Sequence, residues 1–223
     1  FQQHETTSTY KVEIQNSSHV IPITLNMPGE HNMLNSLAAI AIAKELRLSN
    51  EAIVSALSSF QGVGRRCQWM GETRIGSKRV AVIDDYGHHP SEIRVTIKAV
   101  RTGWPSRRLV VAFQPHRYSR TRDLFEDFVD VLNVTDALVI LEVYPAGEHP
   151  IPGADSRALC GAIRRRGKVD PVFVSDPGQL TEALEGIVEA EDILLLLGAG
   201  SIGRVAEGMA FEIESPSSKP RDA

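Results

Sequence analysis

The sequence predicts an α/β fold: a mostly parallel sheet with helices on both faces, preceded by a smaller segment made of a hairpin and two helices. Two observations carry this. From about residue 79 onward, short continuous apolar runs alternate with stretches of helical period, as in parallel strands buried on both faces. Before about residue 71 the pattern is loose two-residue alternation followed by two helical stretches, without a complete core of their own.

Taken in order, residues 9–25 alternate through Tyr10, Val12, Ile14, Val20, Ile21 and Ile23, with Asn16, Ser17 and Ser18 as the turn of a hairpin. After Pro28 and Gly29 a helix runs to about Arg47, with Leu34, Leu37, Ala38, Ala41 and Ile42 on its apolar face. A second helix covers 50–60, striped by Ile53, Leu57 and Phe60. Strands follow at 80–83, 109–113, 137–141, 171–174 and 193–197, separated by helices at 90–101, 122–132, 156–165, 177–188 and 202–212. Residues 214–223 are polar and rich in Pro and Ser, and read as a disordered tail. The expected domains are 1–70, 71–213 and the tail.

The bulk composition narrows the function. With 42% apolar and 23% charged residues the chain is an ordinary globular protein, and a net charge of −4 argues against a nucleic-acid partner. No apolar run is long enough to span a membrane. Cys67 and Cys160 fit neither a metal-ligand nor a disulfide spacing, and read as small core residues of a reduced, cytoplasmic protein. The chain opens at Phe1 rather than Met and reads as a fragment.

Chemistry concentrates where strands end. The apolar run 80–83 gives way to Asp84, Asp85, Tyr86, Gly87, His88, His89 and Pro90; the run 109–113 gives way to Gln114, Pro115, His116, Arg117, Tyr118, Ser119, Arg120, Thr121 and Arg122. Ligands of open α/β sheets collect at the carboxyl ends of strands, so these read as two walls of one site for an anionic substrate. Arg117 and Arg120 would point the same way across a first helical turn, and guanidinium forks suit carboxylate or phosphate. No metal-ligand pattern is completed. A third cluster, Glu30 to Asn35, carries His31, Asn32 and Asn35, one asparagine serving as a helix cap and another free to read a heterocycle edge. Gly198, Gly200 and Gly203 nominally match a dinucleotide fingerprint, but no strand with an acidic residue follows, so they read as a tight strand-to-helix turn.

In order and spacing, His31–Asn35, Gly64–Gln68, Asp84–Pro90, Phe113–Arg122 and Gly198–Gly203 resemble the Mur ligases, most closely the branch that joins L-alanine to UDP-N-acetylmuramate in peptidoglycan synthesis. The resemblance covers about residues 10–210. It implies a Rossmann-like C-terminal domain preceded by a remnant of the central ATPase domain. The N-terminal and remaining central domains would be the missing partners, with the phosphate-binding loop and the Mg2+ ligands upstream. It further implies that His31, Asn32, Asn35, Arg66 and Asp85 bind ATP, and that Tyr86, His88, His116, Arg117 and Arg120 face the reacting carboxyl and the incoming L-alanine. His88, Arg117 and Arg120 would be catalytic, His88 as proton acceptor. The fragment alone would be inactive. The alternatives are a stand-alone module that binds an anionic ligand without catalysis, the related tripeptide-recycling ligase, and a nucleotide-dependent oxidoreductase resting on the glycines.

Overall fold

The computed structural model describes residues 1–14 and 20–214. The predicted turn at Asn16–Ser18 and the tail beyond residue 214 lie outside them. The chain divides into two compact units, one formed by Phe1–Cys67 with Arg94–Ser106, the other by Gln68–Ile93 with the chain from Arg107 onward.

The first unit is built on a three-stranded antiparallel sheet, β1 (Gln2–His4), β2 (Thr7–Glu13) and β3 (Val20–Leu25), so the predicted hairpin gains a strand at its edge. Along β3, Ile21, Ile23 and Leu25 point inward and alternate with exposed positions. They pack with Tyr10, Met27, Ile40 and Ile53 into one cluster. Two helices follow, α1 (Glu30–Glu45) and α2 (Asn50–Ser59). Ser49 caps α2, its side chain accepting the Ala52 N–H.

The face that α1 buries is not the predicted one. Asn32, Ser36 and Ile40 are buried, while Leu34 and Ile42 are 56% and 62% exposed. Polar residues can lie inward because their groups are satisfied: Ser36 Oγ bonds the Tyr10 hydroxyl and donates to the Met33 carbonyl, and Asn32 Nδ2 donates to the Pro28 carbonyl.

The second unit holds a six-stranded sheet in the order β4-β5-β9-β6-β7-β8. Its strands are β4 (Gln68–Ile75), β5 (Lys78–Asp85), β6 (Leu109–Phe113), β7 (Ala137–Leu141), β8 (Val172–Val174) and β9 (Ile193–Leu197). Five run parallel; β4, absent from the sequence reading, pairs antiparallel with β5 at the edge. Every residue of β6, β7 and β9 is buried, which is why they lack two-residue alternation. On one face Val80, Val82, Val110, Leu194 and Leu196 pack with Leu180 and Leu184 of α7 (Leu180–Glu185) and Ile202 and Ala206 of α8 (Ile202–Glu214). On the other, the Phe113 ring meets Phe128 of α5 (Phe125–Leu132) at 5.5 Å. The unit also holds α4 (Tyr118–Asp123) and α6 (Ser156–Arg166), the last capped by Asp155, while α3 (Pro90–Gly103) belongs to the first unit from Arg94 onward. Both cysteines are buried, neither in a disulfide, and burial pushes the Cys160 thiol up to about 11.

Two helix readings change. The stretch 122–132 is two helices broken at Leu124, since α4 begins already at Tyr118. The stretch 177–188 is a 3-10 turn over Pro177–Gln179 followed by α7. Among the described residues no helix is long and apolar enough to cross a membrane.

Candidate anion-binding cleft at the strand ends

Strands β5, β6 and β7 deliver their carboxyl ends to one region, and each contributes rings or cations. Tyr86 and His88 follow β5, with ring centroids 5.4 Å apart and edge to face. His88 lies 5.7 Å from His116, which follows β6, and His116 stacks at 5.3 Å, its plane nearly parallel to that of Tyr144 beyond β7. An open cleft of about 600 Å³ is lined by His88, His89, His116, Arg117, Ser119, Arg120, Asp123 and Leu124. Residues of both predicted walls line this cleft, His88 and His89 from the first and His116, Arg117, Ser119 and Arg120 from the second.

The turn after β5 is fixed by its own side chains. Asp85, 3% exposed, accepts the Gly87 N–H at 2.6 Å, and its carbonyl accepts the Gly198 N–H. The start of α3 is held by its own neighbours. His89 caps it, its Nδ1 accepting from Ser91 N, while Glu92 reaches back to the His88 and His89 N–H groups. These bonds aim His88. Its Nδ1 lies 3.1 Å from the Tyr86 carbonyl, which can only accept, so Nδ1 carries the proton and Nε2 the lone pair. The Glu92 carboxylate is 3.5 Å from the same Nδ1.

His116 is held in the opposite sense. Arg120 Nη1 donates to the His116 carbonyl at 3.0 Å and faces His116 Nδ1 at 3.5 Å, so Nδ1 accepts. Burial lowers the His116 pKa, and His88, Arg120 and Arg117 lower it further, Glu148 opposing. Its ring is therefore neutral at neutral pH.

Arg117 does not sit on the first turn of a helix beside Arg120, as expected. It is the residue before α4, with φ 76°, a conformation non-glycine residues seldom adopt. Its N–H donates to the Tyr144 carbonyl, and its side chain is half exposed. The glycine run after β9 serves close packing. Added to Gly200, a Cβ would lie 2.5 Å from Gln114 Oε1 and 2.8 Å from Tyr144; added to Gly198, where φ is 144°, it would lie 2.7 Å from the Gln114 carbonyl. Gln114 Oε1 in turn accepts the Ile202 N–H that opens α8.

The residues expected around ATP divide between the units. His31, Asn32, Asn35 and Arg66 are in the first and Asp85 in the second. Neither asparagine caps α1: its N-cap is Gly29, without a side-chain bond. Asn32 is buried, Asn35 exposed. Burial lowers the His31 pKa, and Arg66 adds to the effect. Beside His31 is a cleft of about 170 Å³ lined also by Phe1, Glu30, Leu34, Val95, Lys98 and Ala99. Among the described residues no group of three or more His, Cys, Asp or Glu could hold a metal ion.

The sequence reading missed Tyr144, Glu92 and Glu148. Tyr144 and Glu148 lie in a long loop with no helical or strand period to mark them. Glu92 carried a signal, as the acidic residue two beyond a helix-starting proline.

The fold is a mostly parallel α/β sheet whose strand ends carry arginines and imidazoles, the place where ligands of open α/β sheets collect. Comparison with known proteins gives the family. Residues 65–200 match the family described as Mur ligase, glutamate ligase domain, and the chain belongs to the Mur ligases. It is similar to the UDP-N-acetylmuramate-alanine ligase of Thermotoga maritima, with 26% identity and a TM-score of 0.77 over 96% of this chain and 44% of that one. The fold also recurs in the MurF ligase of Thermotoga maritima in complex with ADP (20% identity, TM-score 0.66, 96% of this chain and 45% of that one). It recurs again in a murein peptide ligase from Psychrobacter arcticus (18%, TM-score 0.59, 97% and 43%). The chain spans less than half the length of these solved proteins.

Proposed function

We propose that the chain forms the C-terminal part of an ATP-dependent ligase that joins L-alanine to UDP-N-acetylmuramate. The observation that carries this is the cleft that combines a lone-pair imidazole, His88, with the guanidinium groups of Arg117 and Arg120. The similarity to the alanine ligase supports it: identity is 26% there against 18% for the murein peptide ligase, and the TM-score 0.77 against 0.59.

In this reading the lactoyl carboxylate is phosphorylated by ATP, and the amine of L-alanine displaces the phosphate. Both the acyl phosphate and the tetrahedral intermediate gather negative charge, which fixed guanidinium donors stabilise. Arg120, oriented by its bond to the His116 carbonyl, gives the better-fixed charge, and Arg117 the outer one. The amine must lose a proton as the C–N bond forms. His88 Nε2 accepts it, and Glu92 steadies the imidazolium. His116, neutral and stacked on Tyr144, and Tyr86 flank the amino acid. His31, Asn32, Asn35, Arg66 and Asp85 are the residues proposed toward ATP; the small cleft beside His31 has room for a base. The Mg2+ ligands belong, in this proposal, upstream of these residues. The domain division at 1–70 and 71–213 belongs to the same proposal, as does inactivity of the 223 residues by themselves.

The test is phosphate release by the complete product of the gene, supplied with ATP, UDP-N-acetylmuramate and L-alanine. Release that depends on all three is expected. Release with the recycled tripeptide but not with L-alanine would move the protein to the recycling branch, and release with neither would refute the ligase.

A further inference from the structure

The long loop after β7 does more than connect to α6. Glu148 lies on it, and both its carboxylate oxygens are engaged at the start of α4: Oε2 accepts the Ser119 N–H at 2.9 Å and Oε1 the Ser119 hydroxyl at 2.6 Å. Oε1 is also 3.7 Å from Arg117 Nη1. The hydrogen bonds from Ser119 hold the Glu148 carboxyl below its ordinary range.

Arg117 stands where a helix N-cap would, but its side chain cannot accept the free N–H groups of the first turn. Glu148 supplies the missing acceptor from another loop. Tyr144 of the same loop secures the other side: the Arg117 N–H donates to its carbonyl, its own N–H donates to the Pro115 carbonyl, and its ring stacks on His116. The backbone at Arg117, with φ 76°, is held between these two anchors.

We propose that Glu148 is a positioning residue for the basic wall of the cleft, fixing the turn that aims Arg117 and Arg120 at an anionic group. It does not line the cleft and touches no reacting atom; it acts through Ser119 and Arg117. Its catalytic consequence rests on the ligase reading above, but its geometric part does not.

The two parts are tested separately. In the 223-residue chain, inorganic phosphate is titrated while the imidazole resonances of His88 and His116 are followed by NMR. Simple electrostatics predicts that removing a carboxylate 3.7 Å from Arg117 tightens phosphate binding. The positioning role predicts the reverse: Glu148→Ala weakens it about 10- to 100-fold, the scale on which misplacement of a binding group acts. Glu148→Gln keeps an acceptor for the Ser119 N–H and loses less, and it carries the test if the alanine variant does not fold. Tighter or unchanged phosphate binding in these variants, or no phosphate response in the parent chain, overturns the inference. In the complete gene product, Glu148→Ala should lower kcat/KM for L-alanine by a similar factor and leave the KM for ATP unchanged. A parent protein that binds phosphate in the cleft and does not ligate L-alanine would refute the ligase reading while the positioning role stands.

Discussion

Arg117 and Arg120 differ in environment, and that difference should appear in the rate. Arg120 is part-buried and its guanidinium is tied to the His116 carbonyl, so in the proposed ligation it would meet developing charge without reorganising. Loss of a fixed donor of this kind costs roughly 3 kcal/mol, about 100-fold in turnover. The Arg117 side chain is 49% exposed. A charge about 4 Å away, screened as in water, is worth only about 1 kcal/mol, or about fivefold. Arg120→Ala should therefore lower kcat far more than Arg117→Ala, and Arg120→Lys should rescue it poorly because an ammonium cannot keep the backbone bond and the fork together. The assay is phosphate release by the complete gene product at saturating ATP, with binding of inorganic phosphate to the 223-residue chain as a check independent of activity. Equal losses for the two alanine variants, or the larger loss at Arg117, would refute the reasoning from exposure and preorganisation.

Other outcomes follow from particular contacts. Gly200→Ala drives a methyl against Gln114 and Tyr144, and should destabilise the second unit by about 1–3 kcal/mol, visible as a lower thermal midpoint. An unchanged midpoint would mean that loop is slack. His31 and His116 have pKa values below the ordinary 6.5. The unfolded chain thus takes up their protons first, and the stability present above pH 6.5 is lost as pH falls below it toward their folded values. Urea midpoints that do not decline between pH 7.5 and 5.5 would contradict this. Cys160, with its thiol near 11 and 3% exposed, should resist alkylation at pH 8 in the folded chain and react readily in denaturant; modification at comparable rates would show the α6 face opening. Asp155→Ala, which removes the acceptor for the Ala158 N–H, should cost about 1 kcal/mol.

The parallel sheet was legible because its strands are buried on both faces, leaving apolar runs such as Ile193–Leu197 that nothing else explains. β4 escaped because it is a half-exposed edge strand whose sequence, from Gln68 to Ile75, has neither a run nor clean alternation. α1 shows a different limit. Its predicted stripe is Leu34, Leu37, Ala38, Ala41 and Ile42, of which Leu37 packs partly against the core, but full burial follows Asn32, Ser36 and Ile40, because Tyr10 and the Pro28 carbonyl satisfy the polar members. Period identifies a helix; which face turns inward depends on partners elsewhere in the chain.

For the cleft, residue type at strand ends was enough to pick out His88, His116, Arg117 and Arg120, since imidazoles and guanidiniums at the mouth of a parallel sheet are costly unless they bind something. What could not be read was how they are held. The Nδ1 proton of His88 depends on the carbonyl two residues earlier, and the aim of Arg117 depends on Tyr144 and Glu148 from a loop some thirty positions later. Most of these bonds end on backbone atoms, which carry no residue identity, and the Glu148 contacts with Ser119 and Arg117 span about thirty positions, so no motif in sequence announces them. The cations and rings set what the cleft can bind, and the acceptors behind them set whether a bound carboxyl would meet those groups in register. Replacing the visible cations should remove a charge. Replacing the silent acceptor Glu148 should leave every cation in place and still lose binding, which is the outcome that separates a preorganised site from a basic patch.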